Sequence, residues 1–197
     1  MKDFNIVIVG TGGQGQITLL QVLAEAALIE NCDVKTSELH GLSQRGGSVE
    51  VHIRLGQQVF SPLVKQQGAD LILAMEMQEA LKGLYFSNKN TVFLINRFFV
   101  PILGIKLLKE NEILNNLKKV TKNIIIVPAA DICGKELGKN VVAGIYLLGY
   151  AAYNKIIPLK PSSIVKAVEN IIPQKYLELN KKTLELSEKY EGPRKNK

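Results

Sequence analysis

The sequence predicts an α/β fold with an open, mostly parallel sheet, helices on both faces and an inserted β-hairpin. Short apolar runs alternate along the chain with longer stretches of helical pattern, which is the order of elements in such sheets. The first apolar run ends in a glycine-rich loop that opens a helix, as in Rossmann-like folds. Between residues 48 and 55 polar and apolar side chains alternate, which predicts a strand outside that rhythm.

Continuous apolar runs predict the parallel strands. In a strand covered on both faces every side chain is buried, so the run is apolar and rich in β-branched residues throughout. Residues 5–9 have this pattern and are followed directly by Gly10. The strands predicted on this basis are residues 5–9, 70–74, 91–95 and 123–127, and residues 33–37 are predicted as a further strand because a turn-like segment precedes them.

The alternating segment predicts the inserted hairpin. Apolar residues at 49, 51, 53 and 55 alternate with polar ones, as in a half-buried strand. Gly56 and Gln57 then predict a turn. We expect an antiparallel hairpin between residues 49–55 and residues 58–60.

Helical periodicity accounts for most of the remaining chain. The predicted helices are residues 17–29, 76–84, 106–119, 131–137, 141–153, 161–171 and 174–190. The helix at 141–153 is apolar around its whole circumference, so it is buried in the domain or against a partner. We therefore expect the isolated chain to be dimeric or prone to aggregation, and we expect Asn140 to cap this helix.

Length and composition limit the function classes. A chain of 197 residues suits one domain, which we place at residues 1–173, with a charged helix and tail at 174–197. The net charge of +7 is not gathered in an Arg-rich arm or an aromatic-interleaved basic run, which argues against nucleic-acid binding. The longest apolar stretch is too short to span a bilayer and the first residues do not resemble a signal peptide, so we expect a soluble, cytoplasmic protein.

The two cysteines argue against a metal centre in this chain. Cys32 and Cys133 stand far apart, without a CxxC motif. A structural zinc site or an iron–sulfur cluster needs about four ligands, mostly cysteine thiolates. We therefore predict no metal-binding residues, and we assign no catalytic residue.

The glycine loop is the first candidate site. In the pattern Gly10-x-Gly12-x-x-Gly15, we expect Gly10 to allow a tight exit from the strand, Gly12 to let an anion approach the backbone, and Gly15 to permit close helix–strand packing. The helix start then offers free N–H groups to an anion or amide. Alternatively, the glycines only form the turn. The predicted cofactor-facing residues are Gly10, Thr11, Gly12, Gly13, Gln14 and Gly15.

A second polar loop follows at residues 37–48. Arg45 suits bidentate contact with a carboxylate or phosphate, and the paired glycines allow close approach of another surface. We expect His40 to be a hydrogen-bonded loop residue rather than a general base, and His52 to lie on the surface. The residues predicted to face a partner or substrate are Ser37, Glu38, His40, Gln44, Arg45, Gly46, Gly47 and Ser48.

Three segments together resemble a known family. Residues 8–15, 37–49 and 61–64 are similar, in order and spacing, to the gamma-type domain of the 2-oxoacid:ferredoxin oxidoreductases, and most of all to the small (beta) subunit of the indolepyruvate-specific group. Residues 138–149 resemble that family's asparagine-containing helix. Leu42 and Ser43 depart from the Met-Ala or similar small pair expected there, which bears on the substrate rather than on the family.

The resemblance implies a subunit of a larger oxidoreductase. Such an enzyme decarboxylates a 2-oxoacid, here an aryl pyruvate, on thiamine diphosphate, passes electrons through iron–sulfur clusters to ferredoxin, and releases an acyl-CoA. It further implies that the thiamine diphosphate, its Mg²⁺ and the [4Fe-4S] clusters are held by the large (alpha) subunit, with CoA as co-substrate. The assembly it implies is a dimer of heterodimers, or a homodimer when this chain is isolated.

Three alternatives remain at this stage. The glycine loop, with Glu38 placed roughly where a ribose-binding acid lies, is also compatible with a stand-alone NAD(P)-binding Rossmann reductase. A scaffold that only completes an assembly, or a basic nucleic-acid-binding module, would need no catalytic residues.

Overall fold

The structure is a computed structural model that describes residues 2–41, 47–101 and 107–190. Within these ranges a six-stranded sheet has the order β2-β3-β1-β4-β5-β6. The strands are β1 Phe4–Thr11, β2 Asp33–His40, β3 Ser48–Gly56, β4 Leu71–Ala74, β5 Val92–Asn96 and β6 Ile124–Val127. The neighbouring strands β1, β4, β5 and β6 are parallel to one another. β3 is antiparallel to both β1 and β2.

The central strand β1 shows why this sheet carries layers on both faces. Ile6 and Ile8 lie in one hydrophobic cluster, and Val7 and Val9 lie in the other. Because side chains of a strand alternate between faces, a continuous apolar run needs a cover on each side. The predicted α/β fold with helices on both faces is confirmed.

The helices divide unequally between the two faces. They are α1 Gln16–Ile29, α2 Glu110–Lys118, α3 Ala129–Leu137, α4 Ala143–Tyr153, α5 Pro161–Ile171 and α6 Gln174–Glu188, with 3₁₀ helices at Glu79–Tyr85 and Asn140–Val142. The cluster of Ile6 and Ile8 includes residues of α1, α3, α4, α5 and α6. The cluster of Val7 and Val9 includes Ile113 and Leu117 of α2 and Ala80 of the first 3₁₀ helix.

The hairpin exists, but its predicted partner strand is wrong. β3 pairs with the whole of β2, from Asp33 opposite Gly56 to His40 opposite Val49. Residues 58–60 form no strand, and the Asp33 carboxylate accepts the backbone N–H of Val59 at 2.7 Å. This N–H, together with Lys35, holds the pKa of Asp33 below its ordinary value. The eight residues of β2 form more backbone hydrogen bonds with β3 than residues 58–60 could form after a tight turn.

The predicted helix at 76–84 begins later, as the 3₁₀ helix Glu79–Tyr85. The reason is the buried Glu76 carboxylate, which accepts the backbone N–H groups of Gln78 and Glu79 and so caps the helix start. Burial raises the pKa of Glu76, while these N–H groups act in the opposite direction. Similarly, α2 begins at Glu110 rather than Lys106, which lies outside the described residues; the Glu112 carboxylate accepts the N–H of Lys109 there.

The apolar helix α4 is buried within the chain itself. Its residues from Ala143 to Ala152 are covered, and α6 packs along it through Leu184 and Ser187. The expectation of a dimer therefore has no support from this helix and stays a prediction. No helix in the described ranges has the length and apolar character that crossing a membrane requires.

Two glycines inside helices test the contact between α4 and α6. A Cβ at Gly149 would overlap Ser187 Oγ and lie 3.0 Å from Leu184 Cδ2, whereas a Cβ at Gly134 in α3 meets nothing within 4 Å. We expect Gly149→Ala to lower the free energy of unfolding by about 1–3 kcal/mol through overpacking. Gly134→Ala, the matched control, should raise it by about 0.5–1 kcal/mol through helix propensity. Urea unfolding of both variants measures this, and equal effects would contradict the α4–α6 contact.

Candidate functional site

The two candidate loops meet at one edge of the sheet. The parallel strands β1, β4, β5 and β6 all end at this edge, and the antiparallel β3 begins there. The glycine loop leaves β1 at Thr11, and Thr11 lies opposite Ser48 in the β1–β3 register. In open α/β sheets ligands bind outside the carboxyl ends of the strands, so this edge is the candidate functional site.

The glycine loop is held by two glutamine side chains. Gln14 Oε1 accepts the N–H of Thr11 at 2.9 Å, and Gln16 Nε2 donates to the carbonyl of Thr11 at 2.8 Å. These amides cross directly over Gly10, where a Cβ would overlap Gln16 Nε2 and approach Gln14 Oε1 to 2.6 Å. Gly10 therefore allows the close approach of these two side chains as well as the tight exit from β1.

The other glycines of this loop meet a different requirement. Gly13 and Gly15 adopt φ of +92° and +80°, a region that side chains with a Cβ rarely occupy. The prediction that Gly15 permits close helix–strand packing is wrong, since a Cβ there meets nothing within 4 Å. Its positive φ instead turns the chain into α1.

Hydrogen bonds join the two loops into one unit. The N–H of Gly12 donates to the carbonyl of Gly47 at 2.9 Å, and the N–H of Gly41 donates to the carbonyl of Ser48 at 2.9 Å. The first bond ties the glycine loop to the end of the second loop, and the other closes the base of the second loop. The Gly12 N–H is therefore engaged in the hydrogen bond that joins the two loops.

The remaining residues of the second loop are placed only in part. Gln44, Arg45 and Gly46 lie outside the described residues, as does the side chain of His40. Ser37 and Glu38 lie on β2, opposite His52 and Val51. Because β3 separates β2 from β1, Glu38 stands two strands, about 10 Å, from the glycine loop strand. This spacing does not favour Glu38 as a ribose-binding acid, nor the reductase alternative that relies on it.

Ser48 is anchored by two residues that the sequence analysis missed. Ser48 Oγ donates to Glu79 Oε2 at 2.6 Å, and Lys82 Nζ lies 2.6 Å from Glu79 Oε1. Glu79 is buried and therefore needs such partners. The sequence signal was the Glu–Lys pair three residues apart, but nothing in the sequence connected it with Ser48.

The prediction that His52 lies on the surface is wrong. Its exposure is 2%, because Val64 and the ring of Phe86, whose centroid is 5.0 Å away, pack against it. His52 Nδ1 accepts the N–H of Val64 at 3.1 Å, so its Nε2 carries the proton and donates to Glu50 Oε1 at 2.9 Å. Both ring nitrogens are therefore engaged, and His52 fixes the 61–64 motif to the sheet.

Two cavities flank the glycine loop. One of about 490 Å³ lies between the first turns of α1 and α4 and the junction of α5 with α6. The other, of about 170 Å³, lies at the ends of β4 and β5 beside Gly13. Gln14 and Val141 line both, and all of the residues lining either cavity are uncharged.

Asparagines shape the smaller cavity. Buried Asn96 at the end of β5 donates to the carbonyl of Met75 at 3.1 Å and accepts the N–H of Ala130 at 3.1 Å, linking β4 to α3. Asn140 also lines this cavity. The prediction that Asn140 caps the apolar helix is wrong, because a 3₁₀ turn at Asn140–Val142 precedes α4 and Val142 stands at its N-cap.

The cysteines do not fit an iron–sulfur cluster. Cys133 is buried in the core, and burial raises the pKa of its thiol to about 12, so it stays a protonated thiol near neutral pH. In the described ranges no three His, Cys, Asp or Glu side chains are grouped to hold a metal ion.

Comparison with known proteins identifies the family. The model of the pyruvate ferredoxin/flavodoxin oxidoreductase family matches residues 5–190. The chain belongs to this family. An indolepyruvate oxidoreductase subunit IorB from Archaeoglobus fulgidus is 40% identical over 190 residues, 92% of each chain. A protein of the same name from Thermococcus kodakarensis is 31% identical over 194 residues, 96% of each chain. The predicted resemblance is confirmed, and the chain is an oxidoreductase subunit of this family.

Solved structures share its fold. The gamma subunit of a keto/oxoacid ferredoxin oxidoreductase from Geobacter sulfurreducens has a TM-score of 0.69 at 20% identity, covering 94% of this chain and 96% of that one. A 2-oxoglutarate:ferredoxin oxidoreductase from Magnetococcus marinus has a TM-score of 0.72 at 14% identity, covering 95% of this chain but 30% of that one. The fold of this oxidoreductase subunit therefore also occurs as one part of a longer chain.

Gln16→Met tests the amide clamp on Thr11 in this family member. The change keeps the length of the buried side chain but leaves the Thr11 carbonyl with only the longer bond from the Gln14 N–H, at 3.4 Å. We expect the free energy of unfolding to fall by about 1–3 kcal/mol. Gln21→Met, on an exposed position of the same helix, should change it by less than about 0.5 kcal/mol. Denaturant unfolding compares the two, and a Gln16 variant as stable as the control would show that the clamp does not hold the loop.

Proposed function

We propose that this chain is the small subunit of an indolepyruvate, or related aryl pyruvate, ferredoxin oxidoreductase. The observation that carries the proposal is the match to subunits of that name over more than nine tenths of both chains. The joining of the two motif loops at one edge of the sheet supports it, because a subunit that acts through a partner needs one defined contact surface.

In the proposed reaction an aryl 2-oxoacid and CoA give an acyl-CoA and carbon dioxide, and two electrons pass to ferredoxin. Thiamine diphosphate, held by the large subunit, would supply the electron sink that decarboxylation of a 2-oxoacid needs. We place the thiamine diphosphate, its Mg²⁺ and the [4Fe-4S] clusters on the large subunit. The two cysteines of this chain and the raised pKa of Cys133 support that placement of the clusters.

In this proposal the chain positions the large subunit, and it supplies neither a nucleophile nor a base. Its glycine loop, residues 10–15, is stiffened by the Gln14 and Gln16 amides. Its second loop, residues 37–48, is anchored at Ser48 through Glu79 and Lys82. We assign both loops to the face that meets the large subunit, and through it the substrate or CoA.

Co-purification tests the proposal. The tagged chain, purified anaerobically from its native host, should elute with a large subunit and with the broad visible absorbance of iron–sulfur clusters. The complex should reduce ferredoxin with indolepyruvate and CoA faster than with pyruvate or 2-oxoglutarate. The measurement is the initial rate for each 2-oxoacid under equal conditions.

The possible outcomes distinguish the subunit assignment from the assignment of an aryl substrate. A colourless chain that elutes alone would contradict the subunit assignment. A coloured complex that prefers pyruvate would retain the subunit assignment and overturn the aryl substrate. Tight binding of NADH by the isolated chain would restore the reductase alternative.

Arg45→Ala tests the second loop. If Arg45 contacts a carboxylate or phosphate in the complex, its loss should lower kcat/KM by about ten- to a hundredfold, the value of a charge-assisted hydrogen bond. Lys122→Ala removes an exposed charge near the start of β6, at the opposite edge of the sheet, and should leave the rate unchanged. An Arg45 variant with normal assembly and normal turnover would exclude this role.

A further inference from the structure

The sheet face of Val7 and Val9 is covered unevenly. Its hydrophobic cluster contains residues of β1, β4 and β5 together with α2 and the first 3₁₀ helix, but no described residue of β2 or β3. We propose that the part of this face formed by β2 and β3, with the exposed side chains beside it, binds an apolar, uncharged surface of the large subunit. The inference rests on the proposed function for the identity of this partner.

The strand register places Leu39 on this face. Val9 lies opposite Glu50, and Glu50 lies opposite Leu39. Because directly opposed residues of neighbouring strands project to the same side of a sheet, Leu39 shares the side of Val9. Antiparallel strands tolerate water on one face, so incomplete cover alone would not indicate a partner. Leu39, however, is a large apolar side chain that is half exposed.

Two residues that follow β3 contact its side chains on the same face. The carbonyl of Ser61 accepts a hydrogen bond from Arg54 Nη1 at 3.0 Å, and the N–H of Val64 donates to His52 Nδ1 at 3.1 Å. Since residues two apart in a strand share a side, His52 and Arg54 project to the same side as Glu50. Ser61 and Val64 therefore lie on this face of the sheet.

Three further large apolar side chains are exposed around these contacts. Phe60 and Leu63 adjoin the two contacting residues in the chain, and Phe60 is 83% exposed. Tyr85 adjoins Phe86, whose ring centroid lies 5.0 Å from that of His52. With the leucine of β2, they make up four of the eight large apolar side chains that are exposed in the described ranges. Such a grouping marks an interaction surface, whereas single exposed residues do not. The apolar patch, as we name it, consists of Leu39, Phe60, Leu63 and Tyr85.

The charged groups beside the apolar patch are paired within the chain. Lys35 Nζ lies 3.2 Å from Asp33 Oδ1, and His52 Nε2 donates to Glu50 Oε1 at 2.9 Å. Arg54 is engaged by its hydrogen bond to the loop carbonyl. A partner that covers this face therefore leaves no charge without its counterpart, provided that the partner brings no new charge of its own. This favours an apolar, uncharged partner surface.

Continuity with the second loop identifies the partner as the large subunit. Leu39 belongs to residues 37–48, which we assigned to the face that meets this subunit. It lies two residues, about 7 Å along β2, from Ser37, which is paired with His52. One side of a stable interface uses about 20–30 residues, more than residues 10–15 and 37–48 supply together. The interface therefore extends beyond the two loops, and the apolar patch adjoins the second of them.

Insertion of a charge tests the apolar patch. Complexes that contain the tagged Leu63→Asp or Leu28→Asp chain are purified anaerobically from the native host. Leu28→Asp is the matched control, because Leu28 is also more than half exposed but lies on α1, whose buried residues pack on the other face. Mass photometry of a dilution series gives the Kd for the large subunit. We expect Leu63→Asp to raise this Kd by about ten- to a hundredfold, and the control to change it by less than about twofold.

Labelling of the unchanged chain gives a second measurement that does not depend on any variant. A photochemical carbene reagent labels exposed side chains in the isolated chain and in the complex. We expect labelling of Phe60, Leu63 and Tyr85 to fall in the complex, because the large subunit covers them, and labelling of Leu28 to stay the same. This comparison decides the proposal even if Leu63→Asp fails to fold.

The outcomes distinguish this inference from the proposed function. An unchanged Kd for Leu63→Asp, or unchanged labelling of the apolar patch in the complex, would overturn the inference and leave the subunit assignment intact. A dimer of the isolated chain in sedimentation, dissociated by Leu63→Asp, would assign the patch to a second copy and also overturn it. An unchanged chain that elutes without a large subunit would contradict the subunit assignment, and this inference with it.

Discussion

The position of β3 between β1 and β2 is the constraint on which the candidate site depends. Its antiparallel direction brings its first residue, Ser48, to the edge where the parallel strands end. The N–H of Gly12 can then donate to the carbonyl of Gly47, so the two motif loops are joined although more than thirty residues separate them. If β2 lay directly beside β1, as in the common arrangement of such sheets, the second loop would have no such contact with the first.

The two loops are supported by different kinds of interaction. Around the glycine loop the supporting groups are uncharged amides, those of Gln14, Gln16 and Asn96, whose short hydrogen bonds tie backbone to backbone. The base of the second loop is held by the charged pair of Glu79 and Lys82 acting on Ser48. The glycine loop is therefore held by uncharged groups, whereas Ser48 is held through an ion pair.

The sequence predicted well those elements whose signal is local. Continuous apolar runs located β1, β4, β5 and β6, and Pro161 marked the start of α5, because burial on both faces and the fixed φ of proline act within a few residues. The partner of β3 was missed because alternation shows that a strand has one buried face but not which strand lies beside it. His52 was assigned to the surface for the same reason, since Val64 and the ring of Phe86, both distant in sequence, cover it.

The chemistry of the described residues and the family membership both agree with the proposal that the reactive cofactors lie on the large subunit. His52, the one histidine whose side chain is described, has both nitrogens engaged, and Cys133 is held as a buried thiol by its core surroundings. The role proposed for this chain, holding surfaces in place, needs a place where the backbone is held by hydrogen bonds. That place is the carboxyl edge, where the Gly12–Gly47 bond, the Ser48 anchor and both cavities lie within one segment of the sheet.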